Sequence, residues 1–181
     1  YIATPHVFHF ENSMLCLKQG KHVLCEKPMG MHAGQVKTMI AEARKRKLFL
    51  MEGIWTRFIP ATGLLLDLIQ KGTIGEIISV RADFGFRGNP DPKARLFNKN
   101  LGGGSLLDIG IYPVYLSMLL LGEPSGIKAM ARMSETGVDS FCSMLLDFPG
   151  GEKAILESTF ETHTPTEARI FGTSGMLKLH A

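Results

Sequence analysis

Two stretches of the chain carry residue types that could do chemistry. The first is Gly102-Gly103-Gly104-Ser105-Leu106-Leu107-Asp108-Ile109-Gly110-Ile111-Tyr112-Pro113. If this run is helical, its acid and its phenol, four residues apart, share a face. Glycines ahead of a helix let other backbone approach closely. A buried helix with a flexible entry and an internally satisfied Asp108 fits the same spacing equally well. The second stretch, Leu24-Cys25-Glu26-Lys27-Pro28, places a charged pair directly after an apolar strand, and it tips the balance towards a site.

The elements that must position these residues follow from the hydrophobic pattern. Tyr1-Ile2-Ala3 reads as a short strand, with Thr4-Pro5-His6 as its exit turn. A helix beginning near Val7 or Phe8 ends at Gly20. His22 to Cys25 is a nearly all-apolar second strand, as a strand buried on both faces should be. Ala33 to Lys47 is an amphipathic helix with Val36, Met39, Ile40 and Ala43 in one stripe. Leu48 to Met51 is a third strand, followed by Glu52 to Arg57. Alternating strands and helices define a parallel, partly Rossmann-like sheet. Ligands in such sheets sit outside the carboxyl ends of the strands. Three segments meet that condition: Thr4 to His6, Glu26 to Pro28, and Glu52 to Arg57.

The second half is predicted to be an α+β domain. Pro60 to Gln70 is a helix with proline in its first turn. Glu76 to Phe86 is a long strand in which Ile78, Val80, Ala82, Phe84 and Phe86 alternate with polar residues or glycine. Arg87 to Asn100 is a polar loop, either a lid or a surface excursion. After the glycine-led helix, strands dominate from Gly126 to Leu179 and form an open, largely antiparallel sheet. The fold class is therefore α/β, a partial parallel sheet in residues 1–57 followed by an α+β domain in residues 58–181, with the boundary near Ile54 to Pro60 or Gly72. The cleft between the two domains is the default site.

Composition narrows the function. Twenty basic residues against 17 acidic ones give a formal charge of +3, too mild and too scattered for nucleic-acid binding. Arg44 to Lys47 is the solvated end of a helix, where positive charge is favourable. Cys16, Cys25 and Cys142 have no metal-site spacing and fit reduced thiols in a cytoplasmic protein. The apolar run Ile109 to Leu121 is too short to span a bilayer. No Gly-x-Gly-x-x-Gly follows a strand, and Gly102-Gly103-Gly104 has the wrong spacing for one. Both ends fall inside strand-like runs, so the chain is expected to be an interior fragment, and either it binds no dinucleotide or that loop belongs to a missing amino-terminal part.

With Glu26-Lys27-Pro28 at a strand end and the Gly102 to Tyr112 motif, the sequence resembles the glucose-fructose oxidoreductase/inositol dehydrogenase (Gfo/Idh/MocA) family of NAD(P)-dependent oxidoreductases. Met51 to Phe58 is similar to the branch that acts on trans-dihydrodiols or D-xylose. The resemblance implies NADP or NAD as cofactor, a small polyol or sugar as substrate, and a homodimer formed through the open sheet face. Phe141, Met144 and Leu146 could supply that face, unless they turn towards the helices. The resemblance also implies catalytic roles for Lys27, Tyr112, Asp108 and His9. Tyr112 would move the proton. Its phenol ordinarily ionises near pH 10, and a neighbouring Lys27 ammonium would lower that value. Asp108 would bind a substrate hydroxyl or hold Lys27. Thr4, Pro5, His6, Glu26, Lys27, Pro28, Trp55 and Arg57 would line the cofactor side of the cleft. For His9 a structural role, and for Trp55 a place in the domain-interface core, are the competing readings. A catalytically inactive dinucleotide-sensing or interaction protein of the same fold is the alternative function.

Overall fold

A computed structural model describes residues 1–180. Strands β1 (Val23–Cys25) and β2 (Leu50–Glu52) pair in parallel, with Val23 opposite Leu50. Ile2 extends this sheet through a single parallel bridge to Cys25. Helices α1 (His9–Lys18) and α2 (Ala33–Arg46) pack on each other. Leu17, Val23, Cys25, Met39 and Ala43 are buried between the helices and the sheet. Of the predicted α2 stripe, Val36, Met39 and Ala43 pack here. The polar end of α2 closes on Lys47 in the left-handed region, with Arg44, Lys45 and Arg46 in the last turn. Because Ile2, β1 and β2 run parallel, their three exit turns emerge on one side of the sheet.

The second sheet has six strands in the order β4-β5-β6-β3-β7-β8. These are β3 (Ile77–Gly85), β4 (Gly126–Met133), β5 (Asp139–Asp147), β6 (Lys153–Thr159), β7 (Ala168–Gly172) and β8 (Met176–Leu179). All neighbours are antiparallel except β3 and β6, which run parallel with Ser79 opposite Lys153. Helix α3 (Pro60–Gln70) begins with Pro60 at its first position. It lies with α4 (Ile111–Leu121) on the side of the sheet that forms the main core. Val80, Leu146, Leu156 and Ile170 point into that core and are almost completely buried. Each such side chain contributes roughly 1.5–3 kcal/mol of transfer free energy. The segment Lys99–Leu121 is long and apolar enough to cross a membrane by length and composition alone. Here it bends at left-handed Gly102, and its α4 portion packs on the sheet core.

Two predicted details are corrected. Ile78 does not belong to the inward row of β3: it is 54% exposed, because the register with β7 shifts between Ile77 and Ser79. A one-residue shift moves a side chain to the opposite face. Met144 and Leu146 do not face outwards but are buried in the helix-covered core. On β5 it is Phe141, Ser143 and Leu145 that alternate onto the opposite face, which no helix among the described residues covers.

Candidate active site

The glycine-led segment does not open as a regular helix. Leu106–Gly110 forms a π-turn, and α4 begins only at Ile111. In a π-turn the carbonyl of residue i meets the N–H of i+5. Five residues after Asp108 stands Pro113, which has no N–H. The Asp108 carbonyl is thus open to an outside donor, and Lys27 Nζ donates to it. Each glycine of the triplet admits a different neighbour. A Cβ on Gly102, which sits at φ +75°, would come within 2.9 Å of the His6 Cβ. A Cβ on Gly103 would reach 2.6 Å from the Leu96 carbonyl oxygen and 2.9 Å from that of Arg95. One on Gly104 would collide with the Asp139 carboxylate. The triplet therefore draws together the turn after Ile2, the loop after β3 and the start of β5.

Asp108 is the centre of the charge cluster. Its Oδ1 accepts from Lys27 Nζ at 3.0 Å and from Arg95 Nη1 at 2.9 Å, while Oδ2 accepts from Arg95 Nη2 at 3.3 Å. His6 Nε2 lies 3.8 Å from Oδ1. Burial alone would raise the Asp108 pKa. The Arg95 hydrogen bond and the Lys27 and Arg95 charges outweigh that and hold it below the usual carboxylate range. His6 Nδ1 donates to the Gly102 carbonyl at 2.8 Å. Burial of the ring lowers the His6 pKa despite that bond and the nearby carboxylate.

Tyr112 stands at the rim of the cluster. Lys27 Nζ lies 5.1 Å from its ring centroid, and Trp55 Nε1 donates to its hydroxyl at 3.0 Å. Trp55 is 56% exposed, so it is not buried domain-interface core. The expected fall in the Tyr112 pKa is reversed. Burial pushes the phenol up, Asp108 and Glu26 add to that, and only the Trp55 hydrogen bond opposes it. The physical reason is that Lys27 makes its hydrogen bonds to Asp108, not to the phenol oxygen.

The remaining predicted site residues divide by position. His9 is fully buried, with Nδ1 2.7 Å from the Pro28 carbonyl and Nε2 2.7 Å from that of Thr4. It ties two exit turns together beneath the cleft and does not face it. Pro5 accepts the backbone N–H of Phe8, and Thr4 Oγ1 accepts from Asn12 at 3.3 Å. The Lys27–Pro28 peptide bond is cis. Glu26 accepts from the Tyr1 hydroxyl. Arg57 is exposed in the turn that carries Trp55. Beside Tyr112 lies an apolar cavity of about 330 Å³, lined by Trp55, Phe84, Pro113, Tyr115 and Leu116 among others.

Two contributors escaped the sequence reading. Arg95 sits in the polar loop after β3, where nothing periodic marks it. Asp139 opens β5, and its Oδ2 accepts from Ser105 Oγ and from the Leu106 N–H, both at 2.7 Å. It anchors the entry of the π-turn as a capping residue anchors a helix. The Ser-Leu-Leu-Asp step after a glycine triplet is a signal that some acceptor must satisfy its first N–H groups. Replacing Asp139 with alanine is expected to cost about 1–3 kcal/mol, the penalty of leaving buried donors unpaired. Asp139→Asn, which keeps one acceptor, should fall between alanine and the parent. Urea denaturation midpoints at constant m-value would read both.

The fold and this cluster describe a cleft with parallel strand ends and Lys27 on one side, and Asp108 and Tyr112 on the other. Comparison with known proteins gives the family. Residues 1–54 match the oxidoreductase family's NAD-binding Rossmann fold, and residues 64–178 match the GFO/IDH/MocA C-terminal domain. The chain belongs to the GFO/IDH/MocA oxidoreductase family. It is 44% identical to the mouse trans-1,2-dihydrobenzene-1,2-diol dehydrogenase over 181 residues, covering 99% of this chain and 54% of that protein. Among solved structures, the aldose-aldose oxidoreductase of Caulobacter crescentus superposes with a TM-score of 0.93 at 32% identity, covering 99% of this chain and 55% of the other. A 3-ketoreductase from Actinomadura kijaniata, in complex with NADP, superposes with a TM-score of 0.89 at 32% identity, covering 99% and 56%. The chain spans about half the length of the curated relatives it matches.

The residues present fit one end of a dinucleotide. The three exit turns converge where a nicotinamide would meet the Lys27–Asp108–Tyr112 group. No glycine-rich phosphate loop lies in the sequence, so the pyrophosphate end is not provided by these residues. Pro5, His6, Lys27 and Trp55 would hold the nicotinamide end.

Proposed function

We propose that the protein is an NAD(P)-dependent oxidoreductase acting on a CH–OH group of a small polyol, a trans-1,2-dihydrodiol or an aldose such as D-xylose. The observation that carries this reading is the convergence of Lys27, Asp108 and Tyr112, from opposite elements, at the carboxyl ends of β1 and β2. The bound cofactor would supply hydride exchange at its nicotinamide ring. The side chains do the rest. Tyr112 Oη holds the proton that leaves or joins the substrate oxygen. Because burial keeps Tyr112 protonated, it is poised as an acid for carbonyl reduction and needs alkaline conditions to serve as a base for oxidation. Lys27 presents an ammonium to the oxygen on which charge develops. Asp108 fixes that ammonium, and Trp55 orients the phenol.

The apolar cavity beside Tyr112 favours a substrate with an unsaturated ring over a fully hydroxylated sugar, since buried hydroxyls without partners are costly. The name of the mouse relative supports the same choice. NADP is preferred over NAD through the likeness to the 3-ketoreductase solved in complex with NADP. The uncovered sheet face, with Met130, Phe141, Leu145, Ile155 and Phe171 among charged residues, supports a homodimer. Three free thiols support a reducing, cytoplasmic setting. A division near residue 57 fits the two sheets.

The test is cofactor binding by the full-length gene product, read by nicotinamide fluorescence with NADPH and NADH in turn. Tight NADPH binding followed by turnover of a trans-dihydrodiol is the expected result. No binding of either nucleotide would leave the fold serving recognition and sink the enzyme reading.

A further inference from the structure

Arg95 holds a carboxylate that already has a cation. Asp108 is one buried negative charge, yet Lys27 and Arg95 both reach it, and Arg95 spans both of its oxygens. A single ammonium would suffice to neutralise the acid. The second cation is also the more exposed: the Arg95 side chain is 45% accessible, against 13% for Lys27. Its placement is built in, because the Gly103 backbone packs on the carbonyls of Arg95 and Leu96, and Gly104 N–H donates to the Leu96 carbonyl at 3.0 Å.

The consequence is electrostatic. Without Arg95, the full field of Asp108 falls on Lys27 and on Tyr112. With Arg95 present, the group carries a net positive charge, and Lys27 Nζ, bonded to Asp108, lies 5.1 Å from the phenol ring centroid. We propose that Arg95 is a positioning residue: its fork on Asp108 offsets the carboxylate's charge, so that the field of the Lys27 ammonium prevails at Tyr112 and the substrate oxygen. This rests on the proton-transfer role given to Tyr112 above. The other charged or titratable groups around Tyr112 are Glu26 and Lys27 after β1, Arg57 after β2, Asp108 on its own segment, and Asp83, Glu167 and His180 around the cavity. Of these only Lys27 bonds Asp108, and His6, whose Nε2 lies 3.8 Å from Oδ1, stands beyond hydrogen-bond distance, so none replaces Arg95.

The experiment uses the full-length protein labelled with ¹³Cζ-tyrosine, with the Tyr112 signal assigned by its loss in Tyr112→Phe. Arg95→Ala and Arg95→Lys are compared with the parent. In Arg95→Ala the Tyr112 ionisation midpoint should move further up. kcat should fall about tenfold, the worth of one charge-assisted hydrogen bond, with KM nearly unchanged. Added guanidinium ion should restore both. Arg95→Lys should recover only part, since a lysine cannot span two carboxylate oxygens. An unmoved Tyr112 midpoint in Arg95→Ala overturns the proposal, and so does a rise in KM at constant kcat, which would make Arg95 a substrate contact. If the parent shows no turnover, the oxidoreductase reading fails, while the NMR titration still decides whether Arg95 acts on Tyr112.

Discussion

Tyr112→Phe should lower kcat by about 10²- to 10⁴-fold, the usual contribution of a positioned general acid or base. The fold should hardly notice. The lost hydroxyl accepts one bond from Trp55, which is largely exposed and can turn to water, so the stability change should stay within about 1 kcal/mol. Cofactor affinity should also persist, because the phenol oxygen bonds a tryptophan at the rim. The pH profile carries the second half of the expectation. Burial raises the Tyr112 pKa, so in the oxidative direction the parent's rate should climb with pH as the phenolate becomes populated. The variant should lack that climb. Steady-state rates in both directions across pH would settle it. Retention of near-parental activity would move proton transfer to another group.

Asp108→Asn strikes the structure as well as the chemistry. The buried carboxylate holds two cations, and breaking such a pair by removing one partner costs about 3–5 kcal/mol when all groups are dry. Arg95 is half exposed and can relax into water, so a loss of about 1–3 kcal/mol is expected. The pH dependence has a definite sign. The native Asp108 pKa lies below its unfolded value, so its contribution is complete above the unfolded pKa of about 4 and fades as pH falls through the lower native one. The stability gap between parent and variant should therefore be widest near neutrality and close in acid. Activity should drop too, because Lys27 loses the charge that fixes it. Thermal unfolding of both proteins over a pH series, with kcat at neutral pH, would check these expectations.

The parts of the molecule that pattern alone reveals are those where packing imposes a period. The α2 stripe, the apolar β1 and the proline-led α3 were all legible, since one face of each is buried. The three polar exits were legible because a parallel sheet offers few places for polar residues after an apolar strand. Chemistry that depends on tertiary meeting was not. Arg95 lies in an aperiodic loop, and only the fold brings it to Asp108. Asp139 looks like any acid at a strand start until Ser105 and Leu106 arrive on it. The direction of the Tyr112 shift follows first from how deeply the fold buries the phenol, which no spacing encodes. The parity of β5 was ambiguous for a similar reason: both of its faces carry apolar residues, so alternation could not say which one the helices cover.

The order of the six-stranded sheet has a consequence for how the chain is made. Strand β3 lies between β6 and β7, both of which come far later in the sequence. Synthesis proceeds at roughly 5–20 residues per second. For several seconds β3 therefore leaves the ribosome with neither neighbour, a strand with two open edges. Unpaired edges invite association with other chains. Arg81 and Asp83, which sit in register with Ile155 and Glu157 in the finished sheet, put charge on the waiting strand. Replacing them would be felt as lost yield during translation as well as in the finished sheet, where Asp83 accepts the Thr166 N–H and Arg81 lies over Phe171.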